Sequence, residues 1–202
     1  MFITLEGGEG AGKTTLRQRL VQAFEQTGRA ICVTNEPGAT ALGQQIRSLL
    51  LSSEVPVTPM AELCLFLADR AQHLEELVRP ALQRGTLVLC DRFCDSTIAY
   101  QGGGRQLGIE TVTALCRQVC GATWPNLTLY LDIDPEIGLA RSRRRSATLD
   151  RLESEQLAFH QRVRAAFLNL ASREPNRIRI LRADRPADEV FREAWGLIQG
   201  AL

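Results

Sequence analysis

The chain has 202 residues, 45% hydrophobic and 23% charged, a composition able to bury a real core, and its length favours one domain. A formal net charge of +1 gives no overall field for nucleic acid or an anionic membrane, so any basic site must be local. No apolar run reaches the length of a membrane span and "MFITLEGG" lacks a basic leader, so a cytoplasmic protein is expected.

"FITLE" predicts a short buried strand. Behind it, Gly7, Gly8, Glu9, Gly10, Ala11, Gly12, Lys13, Thr14 and Thr15 carry the spacing G-x-x-x-x-G-K-[ST] of a phosphate-binding loop. Bare backbone N–H groups and a helix N-terminus converge on an anion there. Of the 24 Lys and Arg residues, Lys13 is the one lysine, where a slender ammonium suits a tight phosphate cradle better than a planar guanidinium. Glu9 is the anomaly. Two like charges about 4 Å apart repel by roughly 4 kcal/mol at an effective dielectric near 20, so its carboxylate must face something other than the phosphates.

"KTTLRQRLVQAFEQTG" has helical apolar spacing at Leu16, Leu20 and Phe24, with Gly28 as its stop. "AICVT" is the second strand, ended by a loop fixed by Pro37 and Gly38, and a helix over about 41–52 follows. The run from Thr58 to Gly85 predicts one long helix with an N-cap at Thr58, Pro59 in its first turn and a kink or interruption at Pro80. "TLVLC" and "NLTLYLDI" are continuous apolar runs of the kind a parallel sheet covers on both faces. "PEIGLARSRRR", "ESEQLAFHQRVRAAFLNLASR" and "PADEVFREAWGLIQG" read as helices, and "RIRILRA" as the last strand. Strand and helix alternate throughout. The pattern predicts an α/β fold, a doubly wound parallel five-stranded sheet with helices on both faces and ligands at the carboxyl ends of the strands.

Asp91 ends a buried strand, where an acidic residue beside a phosphate-binding loop holds Mg²⁺ together with the loop hydroxyl, here Thr14. Arg70 follows Phe66 by one helical turn, Arg92 follows Asp91, and Arg105 closes "AYQGGGR", whose glycines would let backbone approach a ligand. The dense run Arg141, Arg143, Arg144, Arg145 and Arg151 reads either as a solvated helix face or as a small mobile lid, about 141–152, that brings arginine onto a transferring phosphoryl. The lid is the sharper reading. The six cysteines lack zinc-ligand spacing and read as reduced structural thiols, and neither His73 nor His160 has the neighbours of a catalytic base.

Taken together, "EGGEGAGKTT", "EPGAT", "FLADRAQH", "DRF…STIAYQGGGR" and "LYLDIDPEIGLAR…LDRLE" resemble bacterial thymidylate kinase, in order and over essentially the whole chain. The resemblance implies a single domain over 1–202 that transfers the γ-phosphoryl of ATP to dTMP, giving dTDP on the route to dTTP, with Mg²⁺ and in a homodimer. It implies that Phe66 stacks on thymine with Arg70 beside it, and that Arg92 holds the acceptor phosphate. Thr97 and Gln101 would read the base, and Tyr100 would crowd the sugar 2′ position. With no arginine in the phosphate loop, the catalytic arginine falls to the lid, with Arg145 as first choice. Glu9 then turns toward the acceptor and accepts a hydrogen bond from its 3′-OH, or shares in Mg²⁺ binding through water. The family often has arginine and glycine where this chain has Asn35 and Ala39, and the lid runs one residue longer. Competing readings are another small kinase on the same scaffold and a nucleotide-binding switch. The latter would want an N-K-x-D stretch, which "NLTLYLDIDPE" does not supply.

Overall fold

The five apolar runs pair as β1 (Phe2–Gly7), β2 (Ile31–Asn35), β3 (Leu87–Asp91), β4 (Leu127–Asp132) and β5 (Ile178–Arg182). In the computed structural model, which describes residues 1–52, 56–145 (Arg145 by its backbone) and 151–202, they form one parallel sheet in the order β2-β3-β1-β4-β5. The register sets Asn35 beside Asp91 and Asp91 beside Leu5, so the polar strand ends meet at one edge. That edge is the switch point, where chains leave β1 and β3 in opposite directions.

Side chains alternate across the sheet. Ile3 and Leu5 of β1, with Leu129 and Leu131 of β4, pack under α1 (Lys13–Gln26) and α9 (Ala187–Ala201). The predicted stripe Leu16, Leu20 and Phe24 is the buried face of α1, each such side chain contributing roughly 1.5–3 kcal/mol. Phe2 and Tyr130 point the other way, toward α6 (Ile109–Cys120) and α8 (Leu157–Arg173). Beside them on that face Thr4 bonds Thr128 at 2.8 Å, and Thr128 donates to Asp95.

The segment expected to be one helix from Thr58 is divided. It runs as α3 (Pro59–His73), a π-helical stretch Leu74–Val78, then α4 (Arg79–Gln83). Ahead of Pro80, which has no N–H to donate, Arg79 N–H reaches back five residues to Leu74 O. Thr58 makes no side-chain cap, whereas Thr40 caps α2 (Ala41–Leu51) by accepting from Gly43 N–H at 2.9 Å.

The glycines of "AYQGGGR" do not face a ligand. They belong to a π-helical stretch, Ile98–Gly104, that continues α5 (Cys94–Thr97). A Cβ at Gly103 would lie 2.6 Å from Ala166 Cβ, and one at Gly104 would lie 2.6 Å from Phe159, so these glycines admit α8 rather than substrate. Arg105 likewise turns away, bonded to Glu62 and Glu155 over the Phe159 ring. The helix α6 had no counterpart among the predicted elements.

Candidate active site

The loop after β1 and the ends of β2 and β3 enclose a cleft of about 540 Å³, within the usual range for small-molecule sites. Glu9, Gly10, Ala11, Gly12, Lys13, Thr14 and Thr15 line it, while Gly7 and Gly8 form the base of the loop. The loop is seated against α7 (Pro135–Arg145): Gly10 has φ +65°, and a Cβ there would lie 2.0 Å from Gly138 O. Only glycine fits that approach. Lys13 Nζ donates to Gly7 O at 2.8 Å and Gly8 O at 3.0 Å. Burial and the neighbouring Arg92 bring the ammonium down to about 8, against the pull of Glu9 and Asp91.

Glu9 turns away from the phosphate cradle. Its Oε1 accepts from Arg92 and from the Tyr100 hydroxyl, both at 2.8 Å, which leaves Oε2 for a ligand. Burial alone would raise this carboxyl, but Arg92, Lys13 and Tyr100 outweigh it and hold it at about 2. Arg92 stands at φ +67° and also donates to Gly7 O and to Ser96 Oγ, each at 3.2 Å, with its guanidinium 5.0 Å over the Tyr100 ring.

At the far end Phe66 lines the cleft and Arg70 lies just behind it, 1% exposed. A guanidinium so buried needs partners on every side. Glu36 accepts from its Nε at 2.9 Å, Thr97 Oγ1 from its NH2 at 2.9 Å, and Cys116 Sγ from its NH1 at 3.6 Å. Glu36 is held in turn by His73 Nδ1 at 2.8 Å, and His73 Nε2 by Thr34 at 2.7 Å. His73 is therefore a structural partner, meeting an acid and a hydroxyl that its own segment does not supply. Asp69 accepts from Gly38 N–H, and burial with Glu36 nearby raises its carboxyl to about 6. Gln101 lines the cleft and gives its amide N–H to Glu62 at 2.7 Å.

Asp91 and Thr14 both line the cleft; Asp91 Oδ2 lies 3.8 Å from Arg17, and its Oδ1 is buried without a hydrogen-bond partner. A carboxylate oxygen left without a partner, in a cleft that a hydroxyl also lines, offers hard-oxygen donors of the kind Mg²⁺ takes. The arginine run is divided. Arg141 donates to Ala183 O and Arg151 pairs with Glu62 at 2.6 Å, so both are tied into the fold. Arg143 and Arg144 are exposed. The side chain of Arg145, the sequence's first choice for a catalytic arginine, and residues 146–150 lie outside the described residues.

Arg47 was not among the predicted site residues. It reaches the cleft from α2, with NH1 2.9 Å from Pro37 O, but in "QQIRSLL" it reads as an ordinary solvent-facing helix position. Asn35 donates to the same carbonyl at 3.0 Å and so braces its own loop. Ser96 and Glu36 were also missed. Glu36 follows the end of β2 and Ser96 lies in the short helix α5; their buried partners, Arg70 and Glu6, come from distant segments that no local window shows.

Comparison with known proteins bears on the family and the fold. A family model described as thymidylate kinase matches residues 5–194. A thymidylate kinase of Protochlamydia amoebophila is 50% identical, covering 98% of this chain and 92% of its own length. One of Deinococcus radiodurans is 48% identical over 98% of this chain and 96% of its own. The crystal structure of thymidylate kinase from Ehrlichia chaffeensis superposes with a TM-score of 0.80 at 29% identity, covering 98% of each chain.

Proposed function

The chain belongs to the thymidylate kinase family and phosphorylates dTMP to dTDP, and we propose that it does so in the cleft just described. One observation carries this assignment: Glu9 of the phosphate loop is bonded to Arg92 and Tyr100, so donor and acceptor halves share a single cavity. The loop from Gly7 to Thr15 binds the ATP phosphates through backbone N–H groups, and Lys13 swings from the carbonyls of Gly7 and Gly8 onto them. Arg92, held cationic by its surroundings, clamps the phosphate of dTMP and aligns it for attack. Phe66 stacks on the thymine ring, and Arg70, Thr97 and Gln101 present polar groups to its edge. Tyr100 fills the space a ribose 2′-OH would need. Glu9 Oε2 accepts from the 3′-OH, with a water-mediated share in Mg²⁺ binding as the rival role.

Thr14 and Asp91 would hold Mg²⁺, which supplies charge neutralisation at the transferring phosphoryl. Arginine from the segment 141–152 covers that charge in the transition state, with Arg145 the leading candidate. We read the whole chain as one domain.

A homodimer is supported by apolar side chains left exposed on neighbouring helices: Leu42 and Leu49 of α2, Met60 of α3 and Leu115 of α6. A cytoplasmic setting is consistent with the described residues, among which no helix is long and apolar enough to cross a membrane. A coupled assay of ADP release with dTMP, dUMP, UMP and thymidine tests the site reading. dTMP should be the best acceptor by a wide margin, and thymidine outperforming it would remove Arg92 from its role. Light scattering at micromolar concentration should give twice the monomer mass.

A further inference from the structure

Glu6 is fully buried at the end of the central strand β1, and the proposed mechanism leaves it unused. Its Oε1 accepts from Phe93 N–H at 2.8 Å, and its Oε2 is bonded to the Ser96 hydroxyl. Among the described residues no cation is bonded to it. The nearby Asp95 has taken Arg177, through contacts at 2.7 and 2.9 Å, and Arg92 donates a hydrogen bond to Ser96 instead. A buried carboxylate with neutral partners and a second carboxylate close by is costly, so the group keeps its proton. Burial first, and Asp95 second, push it up to about 8.

Protonation decides where the Ser96 hydrogen goes. If Glu6 donates its own proton to Ser96 Oγ, and Arg92 NH1 donates to the same oxygen at 3.2 Å, both lone pairs of that oxygen are filled. The hydroxyl hydrogen is then free to leave that pair, and Ser96 lines the cleft beside Arg92. We propose that Ser96 donates this hydrogen to the phosphate of the acceptor nucleotide, with neutral Glu6 as the positioning residue that turns it outward. The inference rests on Arg92 holding that phosphate.

Binding of dTMP and of thymidine, measured by calorimetry at pH 7, separates the roles, because thymidine has the base and sugar but no phosphate. Ser96→Ala should weaken dTMP about tenfold, as loss of a hydrogen bond to a charged group does, while thymidine moves less than twofold. Ser96→Thr, which keeps the hydroxyl, should recover most of the loss. If Ser96→Ala weakens both ligands equally, the residue is merely structural and the inference is wrong. Arg92→Ala in the same assay must narrow the preference for dTMP over thymidine. If it does not, the acceptor-phosphate reading itself fails, whatever Ser96 does.

A pH series tests Glu6. The charged or titratable groups facing it are Asp95 on α5, Arg92 at the strand end, Lys13 on α1 and Cys90 on β3. The phosphate of dTMP is already a dianion above about pH 7. Wild-type affinity for dTMP relative to thymidine should fall several-fold from pH 7 to pH 9, as Glu6 ionises and recaptures the Ser96 hydrogen. Glu6→Gln, whose amide N–H still donates to Ser96, should flatten that decline. An unaltered decline in Glu6→Gln would assign it to another group and overturn the positioning role.

Discussion

Replacing Glu9 by Gln keeps the shape of the side chain and removes its charge, so it isolates what the carboxylate contributes. Glu9 falls from a reference value of 4.5 to about 2 in the folded chain, which corresponds to about 3 kcal/mol of stability at neutral pH. Side-chain exposure of 14% screens part of this, leaving about 2 kcal/mol. The sign follows from the depressed value. The contribution is full above 4.5 and is lost as pH falls toward 2, because the unfolded chain takes up its proton first. Urea unfolding at pH 7 should therefore find Glu9→Gln less stable than wild type by about 2 kcal/mol, and at pH 3 the gap should shrink to roughly half. Arg92 first, and Lys13 after it, are the source of the gap, since Gln still accepts from Tyr100. A difference of the same size at both pH values would show that geometry, not charge, is what Gln fails to reproduce, and would refute the reasoning.

Lys13→Ala should abolish turnover while leaving the unfolding midpoint nearly unchanged, since the ammonium contacts only loop carbonyls; more than a tenth of wild-type kcat would sink the loop assignment. Arg145→Ala should lower kcat with little change in either KM, whereas Arg141→Ala, whose guanidinium is tied to Ala183 O, should act mainly on stability. Equal kcat losses in both variants would move the catalytic role within the run. Asp91→Asn should raise the Mg²⁺ concentration needed for half-maximal rate several-fold, and an unchanged Mg²⁺ titration would take Asp91 out of the metal site.

Much of the fold was legible because its determinants are local. The stripe Leu16, Leu20 and Phe24 and the five strand-forming runs each announce their element through a period or a continuous run; the stripe and the strands β1, β3 and β4 are buried as that pattern requires, while the edge strands β2 and β5 leave Val33 and Ile180 exposed. The phosphate loop is legible for the same reason: its spacing is a backbone requirement written in consecutive residues. α6 escaped although Val112, Cys116 and Cys120 recur at helical spacing on its buried face, because the cysteines invited a question about metal instead of packing. The glycines of Gly102–Gly104 were read as loop chemistry because glycine in isolation signals freedom. Here Gly103 and Gly104 make room for Ala166 and Phe159, partners about 60 residues away that no local window contains.

The buried polar partners were the least legible part, and the reason is physical. Arg70, Arg105 and Arg151 each look like a surface ion pair when read singly, and surface pairs contribute little. The carboxylates that hold them, Glu36 and Glu62, come from distant segments, so pairing is a property of the fold and not of any motif. Yet a site that must grip an anionic nucleotide in a low-dielectric cleft requires such partners. Unpaired, a guanidinium as buried as Arg70 would cost several kcal/mol in desolvation, and a flexible one would lose orientation. Glu36 fixes Arg70, His73 fixes Glu36, and Thr34 fixes His73, a sequence of bonds that ends on the strand beside the cleft. Arg92 is held differently, by the carboxylate of Glu9 at the cleft wall, Ser96 and a loop carbonyl. That contrast fits their proposed tasks. The base reader must not move, whereas the phosphate clamp must exchange an internal carboxylate for a ligand each time dTMP arrives.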